Sequence, residues 1–130
     1  MAASVVWLEE NRVIEVIMEG SYSLEDAQTV SQRLTDMLNA AQGTGVHILF
    51  GADRLEKIEV KVTDAFRKDI TEFGKASNIA SLSIYGLSQN VQVFANVLMV
   101  LLKNILQKPV EIHPTRQAAL DELTPDPKSV

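Results

Sequence analysis

The order of patterns along the chain predicts an α/β fold: a largely parallel sheet with an antiparallel hairpin at one edge. Three observations carry that prediction. Two β-branched segments, Ser4–Glu10 and Val13–Glu19, meet across a two-residue turn. Short apolar runs recur after longer stretches with helical spacing. Strands separated by helices of that length require right-handed crossovers, which place the strands parallel.

The hairpin comes first. Its turn is Asn11-Arg12, and asparagine tolerates the positive φ that tight hairpin turns need. Gly20 is expected to end the second strand. Ser23 then precedes Leu24, Glu25 and Asp26, a capping-box-like start with acids in the first turn of a helix. Ala27, Val30, Leu34, Met37, Leu38 and Ala41 follow at helical spacing and form one apolar face, until Gly43-Thr44-Gly45 stops the helix.

Val46-His47-Ile48-Leu49-Phe50, bracketed by glycines, reads as a strand buried inside a parallel sheet. The region from Gly51 to Val62 has mixed charge and no clear period, so it is expected to be irregular. Thr63 suits the N-cap of a further helix with Phe66, Ile70 and Phe73 on one face. Ala80, Leu82 and Ile84 alternate with Ser81, Ser83 and Tyr85, giving a strand with one apolar and one small polar face. Beyond Pro109, Val110–His113 is a last short strand, and Thr115 caps a helix bearing Ala118, Ala119, Leu120 and Leu123. The order is β-β-α-β-α-β-α-β-α, one domain over 1–123 followed by a polar tail at 124–130.

The segment from Asn90 to Gln107 is the most unusual. On a helical wheel Gln92, Asn96, Lys103 and Gln107 form one narrow stripe, and apolar residues cover an arc of about 260°, where a helix on one sheet needs little over 100°. The surplus requires a neighbouring helix, a second subunit or an apolar ligand. Asn96, Lys103 and Asn104 interrupt the apolar run, so a transmembrane segment is not expected.

Composition narrows the function classes. A net charge of −5 argues against nucleic-acid binding, which needs a basic face. With no cysteine there is no disulfide framework or thiolate metal site. The start, Met1-Ala-Ala-Ser-Val-Val-Trp-Leu, lacks a basic segment and is not read as a secretory signal, which leaves a cytoplasmic address as the expectation.

An opening hairpin, four successive βα turns and a length near 130 residues resemble the STAS-like fold of anti-sigma-factor antagonists, whose core the CRAL-TRIO lipid carriers share. The closing segment, Pro109-Val110-Glu111-Ile112-His113 with Arg116-Gln117-Ala118-Ala119-Leu120-Asp121-Glu122-Leu123, is similar to the final strand and helix of small bacterial STAS-like proteins of unassigned function. The resemblance implies a regulatory, non-catalytic protein-interaction module. Regulatory members carry an Asp-Ser pair where the central strand meets the next helix, and the serine is phosphorylated. Here Asp53 matches the acid, but Arg54 occupies the place of the serine. Thr63 stands at a helix N-terminus, where a phosphate would be favoured, although its capping role is sufficient reason for it.

No motif carries recognisable chemistry. Each of the two histidines, His47 and His113, lacks a second metal ligand at zinc-site spacing and is expected to be hydrogen-bonded or partly exposed in a strand. Asp53, Arg54, Glu56, Lys57, Glu59 and Lys61 read as a solvated charge run. Asp53 is the exception, since it lies just past an expected strand end, the edge where open parallel sheets bind ligands. Trp7 and Tyr85 are expected to pack in the core or at an edge. No catalytic residue, metal or cofactor is expected. The expected function is an interaction module that self-associates, most simply as a dimer, through Val93, Phe94, Val97, Val100, Leu101 and Asn104, with a strand-end site at Asp53, Arg54 and Thr63. The alternative is a carrier or sensor of a small apolar, lipid-like ligand bound between the 90–107 helix and Phe66, Ile70 and Phe73.

Overall fold

The structure, a computed structural model, describes residues 3–41, 45–58, 79–88 and 110–123. These residues form strands β1 (Ala3–Glu9), β2 (Val13–Tyr22), β3 (Val46–Ile58), β4 (Ile79–Tyr85) and β5 (Val110–His113), with helices α1 (Leu24–Ala40) and α2 (Arg116–Leu123). Thr63, the 90–107 segment with Val93, Phe94, Val97, Val100, Leu101 and Asn104, and the 124–130 tail lie outside the described residues.

The five strands make one sheet in the order β1-β2-β3-β4-β5. β1 and β2 are antiparallel, and every other pairing is parallel, as the pattern predicts. Asn11 takes φ 65°, so the hairpin turn uses the residue type that adopts this conformation most readily after glycine. Ser23 and Asp26 form a reciprocal capping box: the Ser23 hydroxyl accepts from the Asp26 amide at 3.1 Å, and the Asp26 carboxylate accepts from the Ser23 amide at 3.0 Å. At α2, the Thr115 hydroxyl accepts from the Ala118 amide at 3.2 Å.

The periodic positions of α1 do what their spacing requires. Ala27, Val30, Leu34 and Leu38 are buried, and Met37 and Ala41 pack beside them. They cover a sheet face built from Val5, Ile14, Val16, Ile48, Phe50, Leu82, Ile84 and Val110. The opposite face carries a smaller cluster in which Val13, Leu49 and Tyr85 pack on Ala119 of α2, flanked by Leu120 and Leu123. Val6 and Leu8, on the edge strand, remain exposed.

Two expectations are corrected. Gly20 does not end β2, which continues to Tyr22, and residues 51–58 are not irregular but part of β3. The two extensions explain each other: Ser21 pairs with Lys57 and Tyr22 with Ile58, so each supplies the ladder partner that neither pattern reveals alone. Gly20 absorbs the register shift at φ 61°, a conformation that suits glycine. On β4, Ser83 and Tyr85 of the small polar face are buried along with Leu82 and Ile84, as suits an internal strand.

Candidate functional site beneath the C-terminal helix

Strand alternation places Val13, Glu15 and Ile17 of β2 on the face opposite α1. Register carries the Glu15 row across Leu49 and Ser83 to Glu111, and the Ile17 row across Gly51 and Tyr85 to His113. Glu15 is 2% exposed, and a carboxylate at that depth must be paired. Two residues distant in sequence hold it. The Tyr85 hydroxyl donates to one carboxylate oxygen at 2.7 Å. The Arg116 guanidinium straddles the group, with Nε 2.8 Å from one oxygen and Nη2 3.3 Å from the other.

Gly51 makes the Tyr85 bond possible. Tyr85 belongs to β4 and Glu15 to β2, so the phenol must cross β3. It crosses at Gly51, where a Cβ would sit 2.3 Å from the phenol oxygen. Burial, and then the hydrogen bond to Glu15, push the Tyr85 hydroxyl well above its ordinary pKa. The Glu15 bond likewise raises the pKa of Arg116. The resulting network is fully occupied and joins α2 to the middle of the sheet. Arg12 adds a second tie by donating to the Leu123 carbonyl at the other end of α2.

The remaining polar groups of this face lie to one side of the network. His47 Nδ1 is 2.6 Å from the Ser81 hydroxyl. Burial, with a smaller contribution from the Arg12 charge, lowers the His47 pKa and favours the neutral ring. His47, Ser81, Ser83, Glu111, Glu122 and Leu123 line a cavity of about 220 Å³ between β3–β5 and the last turn of α2. His47 is thus hydrogen-bonded and partly buried, as expected of it. His113 is half-buried and meets the Glu111 carboxylate at 3.2 Å.

Asp53 and Arg54 are exposed and lie inside β3, five and four residues before its end at Ile58, not past a strand end. Asp53 stands where β4 leaves the sheet: a Cβ on Gly86, at φ 73°, would come within 2.7 Å of the Asp53 Cβ. Arg54 reaches across to Glu19 of β2, with 3.0 Å between nitrogen and oxygen. Six residues of strand, about 20 Å, separate Asp53 from His47, so the two do not form a catalytic pair. The charge run at 53–57 is solvated, as its alternating signs suggest, but in a strand and not a loop. Tyr85 is a core residue, and Trp7 packs at the margin of the larger cluster. Among the described residues no group of three or more His, Asp or Glu side chains is placed to hold a metal ion. Among the same residues no helix is long and apolar enough to cross a membrane.

Sequence reasoning missed Glu15. A signal was present: a lone acid inside Val13-Ile14-Glu15-Val16-Ile17-Met18, a run apolar at both parities and so buried on both faces. Gly51 gave another, since an isolated glycine inside a strand marks a close approach.

The architecture is SpoIIAA-like, that is, STAS-like. A protein of the DUF3478 family with a SpoIIAA-like fold from Shewanella loihica superposes with a TM-score of 0.68 at 15% identity, over 95% of this chain and 93% of that one. The anti-sigma factor antagonist SpoIIAA in its unphosphorylated form gives 0.60 at 10% identity, over 93% and 96%. The Bacillus cell fate determinant SpoIIAA in its phosphorylated form gives 0.65 at 10% identity, over 95% and 100%. No protein-family model matches the sequence, and no curated protein matches it.

Proposed function

We propose that the protein is a non-catalytic, STAS-like interaction module of regulatory type that acts in the cytoplasm and self-associates through its 90–107 segment. The observation that carries this reading is the SpoIIAA-like fold over nearly the whole chain, a fold whose compared members include an anti-sigma factor antagonist. The interior chemistry agrees with it. Glu15, the buried carboxylate, has both oxygens occupied by Tyr85 and Arg116 and serves to fasten α2 to the sheet. Within β3 Arg54 offers no hydroxyl and is paired with Glu19, which favours binding through Asp53 and Arg54, with Thr63, over a phosphorylation switch at residue 54.

Self-association rests on the apolar arc of Val93, Phe94, Val97, Val100 and Leu101, bounded by Asn104. One sheet covers little over 100° of such a helix, and monomers seldom expose an apolar patch of the size left over. A two-fold dimer is the simplest closed arrangement. Light scattering across a dilution series through the micromolar range is expected to show more than one subunit, and a single-subunit mass throughout would overturn the reading. The apolar-ligand alternative, with its pocket between the 90–107 helix and Phe66, Ile70 and Phe73, concerns residues outside those described.

A further inference from the structure

We propose that the cavity beneath the last turn of α2 is a binding site for a small organic cation bearing a primary amine, held by Glu122, Glu111 and the Ser83 hydroxyl. Ser83 supplies the first argument. It is 3% exposed, and among the described residues its hydroxyl has no hydrogen-bond partner. No side-chain polar atom among the described residues is both sealed from solvent and unpartnered, so the Ser83 oxygen opens onto the cavity it lines. The strand register agrees: Ser83 shares its face and row with Glu15 and Glu111.

The second argument is charge. Glu111 and Glu122 both line the space, and the one histidine there is held neutral by burial and by Arg12. Arg12, whose charge acts on this histidine, is already engaged by Glu9 and by the Leu123 carbonyl. Glu111 also meets His113, which leaves Glu122 as the carboxylate without a partner among the described residues. The last turn of α2 carries no basic residue, and a helix C-terminus favours positive charge. An anion would face two carboxylates. An ammonium brings three donors to the oxygens of Glu111, Glu122 and Ser83.

The third argument is size. A volume of about 220 Å³ lies below the roughly 300–1,000 Å³ of drug-sized pockets, so the occupant has only a few carbons.

The test is an amide-resolved NMR titration at pH 7 and physiological salt with 1,4-diaminobutane, using 1,4-butanediol and succinate as uncharged and anionic counterparts. The diamine should give saturable shifts centred on Ser81, Ser83, Glu111 and Glu122, and succinate none. Glu122→Gln should weaken the diamine roughly ten-fold, the expected effect of losing one charge-assisted bond. Ser83→Ala should weaken it several-fold while leaving thermal stability intact, because the lost hydroxyl bonds nothing in the free protein. Shifts that fail to saturate, that spread over the acidic surface, or that are unchanged in Glu122→Gln would overturn the site. Equal binding of butanediol or succinate would overturn the assignment to a cation.

Discussion

Gly51 shows how one missing side chain organises a whole face. Its bare Cα is the track along which Tyr85 crosses β3 to reach Glu15. In Gly51→Ala the added methyl meets the phenol, which must leave Glu15 or displace the strand. The expected loss is about 1–3 kcal/mol, from overpacking and a broken bond to a charged group. Tyr85→Phe isolates the bond and should cost about 1.5–3 kcal/mol in urea unfolding. It should also alter the alkaline limb. The Tyr85 pKa is raised on folding, so above pH ~10 the unfolded chain gives up its proton first and stability falls as pH rises. Tyr85→Phe should remove that part of the slope, and an unchanged slope would contradict the assignment. His47 acts at the acid side. Its pKa is lowered on folding, so below about 6.5 the unfolded chain binds the proton more readily and stability falls as pH falls. His47→Gln should flatten the stability profile between pH 7 and 5 relative to the parent protein.

At the scale of elements, α1 is specified at its start by a local device and along its length by packing. The capping box satisfies amides that the first turn leaves free. Ser23→Ala should therefore cost about 0.5–2 kcal/mol. Leu34, 2% exposed in the larger cluster, should cost about 2–5 kcal/mol on truncation to alanine. Urea unfolding with unchanged slope would place both losses in the native state, and a Ser23 effect equal to that of Leu34 would mean the cap reaches beyond the helix end. Helix α2 is the contrasting case. Its eight residues are too few to be stable alone, and it is fastened by Ala119 in the second cluster, by Arg116 on Glu15 and by Arg12 on its last carbonyl.

For the whole molecule the apolar arc of 90–107 calls for a covering partner. Leu98 and Ile105 lie near its centre by helical spacing, and their truncation to alanine should cost about 2–5 kcal/mol if they are core. Val100 lies at the margin, so Val100→Glu should leave the fold intact and reduce the light-scattering mass to one subunit. If Val100→Glu unfolds the chain, the margin is internal packing and the self-association reading loses its support. The proposed amine site is argued from none of these residues.

What the sequence determined by itself was everything governed by neighbours within a few positions. The Asn11 turn, the Ser23–Asp26 box, the apolar face of α1, the Thr115 cap and the strand at 110–113 all follow from backbone preference, capping and period, and with them the order of the described elements and the STAS-like fold. The structure decided what depends on partners far along the chain. β2 and β3 run on past Gly20 and Gly51 because each is the other's ladder. Glu15 is buried because residues 70 and 101 positions away, Tyr85 and Arg116, come to meet it. Ser83 faces a cavity, not solvent, because α2 folds back over β4. A window of sequence contains the preferences of a segment but not the surface it will be pressed against, and burial, register and the pairing of charges are set by that surface.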